Sequence, residues 1–136
     1  MDNPIVTDGS TEFKAAELNK FVAGNGSKLG IMLQYARIAY TGAAWEVVAG
    51  TDSCDIASGD LTWNATPDEL EITLAGYSNV PVVIATPVAT GNTIHPILKA
   101  HAASKTQAVV RFYDEANTQI TVEDTDMAFN LMVIGT

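Results

Sequence analysis

The chain has 136 residues, 47% of them hydrophobic and 17% charged, with a formal net charge of −9 from seven Lys and Arg against 16 Asp and Glu. That length suits one domain able to bury its own core, and so acidic a balance argues against a surface that must neutralise phosphates, hence against nucleic acid as a partner. The single cysteine, Cys54, excludes an internal disulfide and a cysteine-built zinc site, so packing must hold the fold. The sparse charge also suggests that a partner covers part of the surface.

The opening residues, MDNPIVTDG, lack the basic and apolar regions of a signal peptide. No apolar run approaches the roughly 18 to 20 residues of a membrane span. A product made in the cytoplasm, without membrane insertion, is the expectation. After the Asp8-Gly9 turn, Ser10 or Thr11 caps a helix built from good formers, Glu12, Lys14, Ala15, Ala16, Glu17 and Leu18. Its spacing gathers Phe13, Leu18, Phe21 and Val22 around one side. The glycine-rich stretch AGNGSKLG, residues 23–30, ends it. Residues 1–30 therefore read as a docking segment with a hinge, and residues 31–136 as a separate β body.

From Ile31 onward the texture changes to period-two alternation broken by turn residues. Strand-like segments fall at 32–40, 44–50, 58–64, 69–77, 81–88, 97–103, 107–114, 119–124 and 127–135. Turns are written at Thr41-Gly42, Thr66-Pro67-Asp68, Ser78-Asn79, Gly91-Asn92, Ser104-Lys105 and 115–118. Short strands at this spacing predict an antiparallel sandwich preceded by a short N-terminal helix. Thr66-Pro67-Asp68-Glu69 resembles a helix start, but Leu70, Ile72 and Leu74 then alternate with Glu69, Glu71 and Thr73, so a strand is expected with Pro67 in the turn. In 107–114, Arg111 is expected on the exposed face and Phe112 on the buried one. The last strand carries Met127, Phe129, Leu131 and Val133 on one face and Ala128, Asn130, Met132 and Ile134 on the other. With both faces largely apolar, it is either central or part of a subunit interface, and Phe129 and Leu131 join Phe13, Leu18 and Phe21 as interface candidates.

No catalytic set assembles from these residues. Glu69 and Glu71 share a strand face, as glycosidase carboxylates can, yet outward charge on a half-buried strand accounts for both. The acidic run 123–126 offers clustered oxygens without the ligand spacing or glycine of a calcium loop. His95 and His101 are separated by Pro96 and part of a strand, so they do not form an adjacent metal pair, although one histidine repeated about a trimer axis would make a three-fold site. No cofactor, metal site or catalytic residue is expected. Trp45, Trp63, Tyr77 and Tyr113 are the candidates for a sugar-stacking platform, with core packing the competing account.

The pattern Asp8-Gly9-Ser10 followed by Ala15-Ala16 and Leu18-Asn19 resembles short helical elements near the N-termini of tailed-bacteriophage fibre and appendage proteins. Residues 55–136, from SGDLTWNATPDELEITLAGYSNVPVVIATPV through AVVRFYDEANTQIT to MAFNLMVIGT, resemble in texture the small β-sandwich tips and decoration domains of phage virions, including those similar to H-type lectins. The resemblance implies a jelly-roll or lectin-like sandwich that trimerises on the virion surface. Its partners would be copies of itself and phage capsid or tail proteins, with a host surface glycan as a further ligand. Head decoration (cement) or a fibre-type subunit is the implied role, and a receptor- or carbohydrate-binding tail-fibre tip is the alternative. No sugar-binding residue carries over position by position.

Overall fold

The computed structural model describes residues 31–50, 56–88, 96–125 and 127–136. The N-terminal helix expected over 11–22, with Phe13, Leu18 and Phe21, lies outside the described residues, as do Cys54 and His95. The described residues hold eight strands: β1 (Met32–Tyr40), β2 (Trp45–Val47), β3 (Leu61–Asn64), β4 (Glu69–Thr73), β5 (Val82–Pro87), β6 (Ile97–Ser104), β7 (Gln107–Tyr113) and β8 (Ala128–Gly135). They form two four-stranded sheets, ordered β2-β1-β8-β5 and β3-β4-β7-β6. Every neighbouring pair is antiparallel.

Hairpins β1–β2, β3–β4 and β6–β7 stay within one sheet, and the other connections cross between sheets. The last two strands each fill a central place, β7 between β4 and β6, and β8 between β1 and β5. A central strand contacts neighbours on both edges, and β8 carries apolar residues on both faces, one toward the core and the other on the open side of its sheet.

Period-two alternation turns one set of side chains from each sheet inward. Ala36, Ile38, Phe129, Leu131 and Val133 from one sheet join Leu70, Ile72, Ala108, Val110 and Phe112 from the other in a single buried cluster, which gives a sandwich arrangement. Phe112 is fully buried, as its parity requires, while Arg111 is only half-exposed because it is paired with Glu69 on the neighbouring strand. At one end of the core Trp45 packs against Phe112 at 5.3 Å and Trp63 at 6.0 Å between ring centroids.

Turn chemistry sets the hairpins. Gly42 takes φ +89° after Tyr40, a conformation open to glycine without a Cβ penalty, and Thr41 closes the turn through its N–H to the Ala44 carbonyl at 2.9 Å. Thr66 and Pro67 lie in the β3–β4 turn as the sequence pattern predicts, with Asp68 at φ +63°.

The strands expected over 44–50 and 69–77 are shorter, ending at Val47 and Thr73, and two further stretches depart from the strand pattern. Residues 58–60 form a short 3-10 turn in front of β3, closed by the Ala57 N–H donating to Asp60 Oδ2 at 2.8 Å. Residues 119–124 make only an isolated bridge, Gln119 to Tyr113, and two of their side chains reach distant partners. Gln119 Nε2 donates to the carbonyls of Pro67 and Asp68 at 2.8 and 2.7 Å, and Glu123 Oε1 accepts the Trp45 indole N–H at 3.0 Å.

Candidate functional site

The outward sides of the two sheets differ in chemistry. On the β3-β4-β7-β6 sheet the exposed rows are largely polar, with Ile97 at 44% exposure the apolar exception, and the Glu69 and Glu71 carboxylates are satisfied. Glu69 Oε2 takes the Arg111 Nε–H at 2.8 Å, and Glu71 accepts from Asn64 Nδ2 at 3.0 Å and Gln107 Nε2 at 2.9 Å. Lys99 donates to Asn117 Oδ1 at 3.1 Å and lies 3.8 Å from the centroid of the Tyr113 ring. This is a solvated face whose charges already have partners.

The opposite sheet presents the reverse. Antiparallel register aligns its outward residues in rows across three strands: Leu33–Ile134–Val82, then Tyr35–Met132–Ile84, then Arg37–Asn130–Thr86. The first two rows are wholly apolar apart from the Tyr35 hydroxyl. Tyr35, Ile84 and Met132 are 45%, 45% and 40% exposed, and Val82 reaches 61%. Around the second and third rows the surface dips into a depression of about 400 Å³, lined by Tyr35, Arg37, Ile84, Thr86, Asn130 and Met132 among others. One end of the patch is greasy and the other offers hydrogen bonds. Contiguous exposed apolar surface of this kind marks a contact site.

The residues singled out from sequence fall as follows. Phe129 and Leu131 are buried in the sandwich, 0% and 2% exposed, so they face the second sheet and not a neighbouring subunit. Their parity partners Met132 and Ile134 carry the open face instead. Trp45 and Tyr77, both 5% exposed, are core residues whose rings cannot present a stacking surface to solvent. Trp63 is half-buried against Trp45 and Phe112, and one face of Tyr113 is taken by Lys99. The four aromatics therefore do not make a common platform.

Glu69 and Glu71 share an outward face, as alternation predicts, and both carboxylates are engaged in hydrogen bonds. Glu123 of the acidic run is engaged by Trp45, and His101 is exposed on the polar face opposite Val109. Among the described residues, no group of three or more His, Cys, Asp or Glu side chains is placed to hold a metal ion.

Sequence reasoning missed the outward residues of β1 and β5, chiefly Tyr35, Ile84 and Val82. The signal existed: 32–40 and 81–88 are apolar at both parities, as the last strand is. Comparison with protein-family models, curated proteins and solved structures returned no match.

Proposed function

We propose that this chain is a structural subunit of a tailed-phage particle, a head decoration (cement) or fibre-type protein, that acts by binding and not by catalysis. The observation that carries the reading is the two-row apolar patch of Leu33, Ile134, Val82, Tyr35, Met132 and Ile84 on one outer face of the sandwich. A surface of that kind gains free energy when another protein covers it. Attachment runs through residues 1–30, whose Phe13, Leu18 and Phe21 also need shelter. Self-association as a homotrimer presents the sandwich, of jelly-roll or lectin-like type, at the virion surface. Many copies then convert modest contacts into strong attachment by avidity.

The test is genetic and physical. Particles lacking the protein should burst at lower temperature or lower ionic strength than complete ones, and a chain missing residues 1–30 should fail to rebind them. Particles that keep full stability without the protein would rule out the cement role.

A receptor- or carbohydrate-binding tip is the second reading, favoured by the depression itself. It pairs the Tyr35 ring with Arg37, Thr86 and Asn130, an apolar surface flanked by hydrogen-bonding groups of the sort that suits a pyranose ring. Intact particles that fail to adsorb, together with a positive glycan array, would favour this alternative.

A further inference from the structure

The depression on the β1-β8-β5 face has a charge as well as a shape. Its outward side chains form two rows, Tyr35, Met132 and Ile84 in one and Arg37, Asn130 and Thr86 in the next. Every polar side chain among them can donate a hydrogen bond: Arg37 has five N–H groups and no acceptor, Asn130 an amide NH2, and Thr86 and Tyr35 a hydroxyl each. Among the described residues that line the depression none is acidic, and Arg37 is the only charged one.

That set is poor in acceptors for the hydroxyls of a neutral sugar. A carboxylate reverses the match, because it only accepts and its two oxygens fit the fork of a guanidinium. The two rows stand two residues apart along the strands, about 7 Å, comparable with the length of one pyranose ring that bears a carboxylate. An acid group in the Arg37–Asn130–Thr86 row therefore brings the C–H face of its ring over Tyr35, beside Ile84 and Met132.

We infer that the depression takes a carboxylate-bearing sugar, a uronic- or sialic-acid unit of a surface glycan, with Arg37 holding the carboxylate. The inference rests on the receptor-binding reading of this face and narrows its ligand. The Leu33–Ile134–Val82 row stays open to another copy of the chain, with the polar row at the rim of that contact, where protein interfaces carry their polar groups. A chain of net charge −9 repels anions at long range, so the attraction must be local to Arg37. Glu46 of β2 stands opposite Ala39, one outward position beyond Arg37 and outside the lining, and offsets part of that attraction.

A glycan array probed with the full-length chain tests this. Carboxylate-bearing glycans should be the hits, and methyl esterification of their acid groups should weaken binding about tenfold, the worth of one charge-assisted hydrogen bond partly screened by water. Arg37→Gln should abolish the preference for acid over ester. Lys99→Gln, which removes the same charge from the opposite sheet, should keep it. Near-UV circular dichroism checks that both variants are folded, and the acid-against-ester comparison needs the wild type alone. Hits confined to neutral glycans, or equal binding of acid and ester, would overturn the inference and leave the receptor reading standing. Hits that are sulfated only, or a preference that survives Arg37→Gln, would overturn it as well. A blank array removes the receptor reading and the inference together.

Discussion

The Tyr77 hydroxyl, on the segment that leads from one sheet to the other, donates to Gln34 Oε1 of β1 at 2.9 Å inside the core. It also lies 3.3 Å from the Val133 carbonyl. Gln34 is 1% exposed, and it points inward among Ala36, Ile38 and their neighbours. A buried amide is tolerated there because the tyrosine supplies a donor. The pair therefore links the β4–β5 crossover to β1, next to the apolar patch. Tyr77→Phe should destabilise the protein by about 1 to 2 kcal/mol, the usual consequence of removing one partner from a buried hydrogen bond. Adding Gln34→Leu should cost less than the two single changes summed, a coupling that urea denaturation of the four proteins in the cycle would measure.

Tyr77 is also held from the C-terminal side. A Cβ built on Gly135 would stand 2.5 Å from Tyr77 Cδ1 and 2.9 Å from Pro81 Cβ, both part of a packed region with little room to give. Gly135→Ala should therefore destabilise by about 1 to 3 kcal/mol through overpacking. Gly59 offers the control, because a methyl group added there would meet nothing within 4 Å, and Gly59→Ala should change stability by less than about 0.5 kcal/mol. Thermal melts of the two variants, run side by side, check the contrast.

These contacts mark how far the sequence could be read. β1 runs from Met32 to Tyr40, where alternation placed it, and the Thr41-Gly42 and Pro67-Asp68 turns fall between strands because their residues suit the turn backbone. Gln34 is different: its place in the core depends on a tyrosine 43 residues away, which local pattern does not encode. Residues 119–124 alternate like a strand, yet they make one isolated bridge and no ladder, since alternation alone does not place a pairing strand beside them. The candidate site was half legible. Apolar residues at both parities of the last strand signalled a second buried or contact face, but parity cannot say which set meets the opposing sheet. Phe129 and Leu131 do so, which leaves Met132 and Ile134 outward.

Trp45 separates packing from recognition. Its ring lies within 6.3 Å of Phe129 and nearer to Tyr40, Trp63 and Phe112, and its N–H is bound by Glu123. Truncating so central an aromatic leaves a cavity, so Trp45→Ala should cost about 3 to 5 kcal/mol. Near-UV circular dichroism should lose the signal of the aromatic cluster at the same time. A variant that keeps full stability while losing only ligand binding would contradict the core assignment.

The Glu69–Arg111 pair bears on the polar face. Arg111 is 37% exposed and Glu69 only 10%, so solvent screens the attraction on one side while the carboxylate still needs a donor. Arg111→Met should destabilise by about 1 kcal/mol, a value discounted for that screening, and Glu69→Gln in the same chain should recover part of the loss by removing the stranded charge. The double-mutant cycle in urea, repeated at high salt, would detect both the coupling and its screening.

Ile84 tests the apolar face without touching the core. It sits in the middle strand-row beside Met132 with 45% of its surface exposed, so a charged side chain can reach water without displacing packed neighbours. Ile84→Lys should change stability by less than about 0.5 kcal/mol, while placing an ammonium on the β5 side of the surface that any partner must dry. Under the proposed function the variant remains folded, its light-scattering mass falls from trimer to monomer, and it no longer decorates particles. If it assembles and attaches like the wild type, the Leu33–Tyr35–Ile84–Met132 face is not the contact surface, and the binding role has to be sought on the polar sheet.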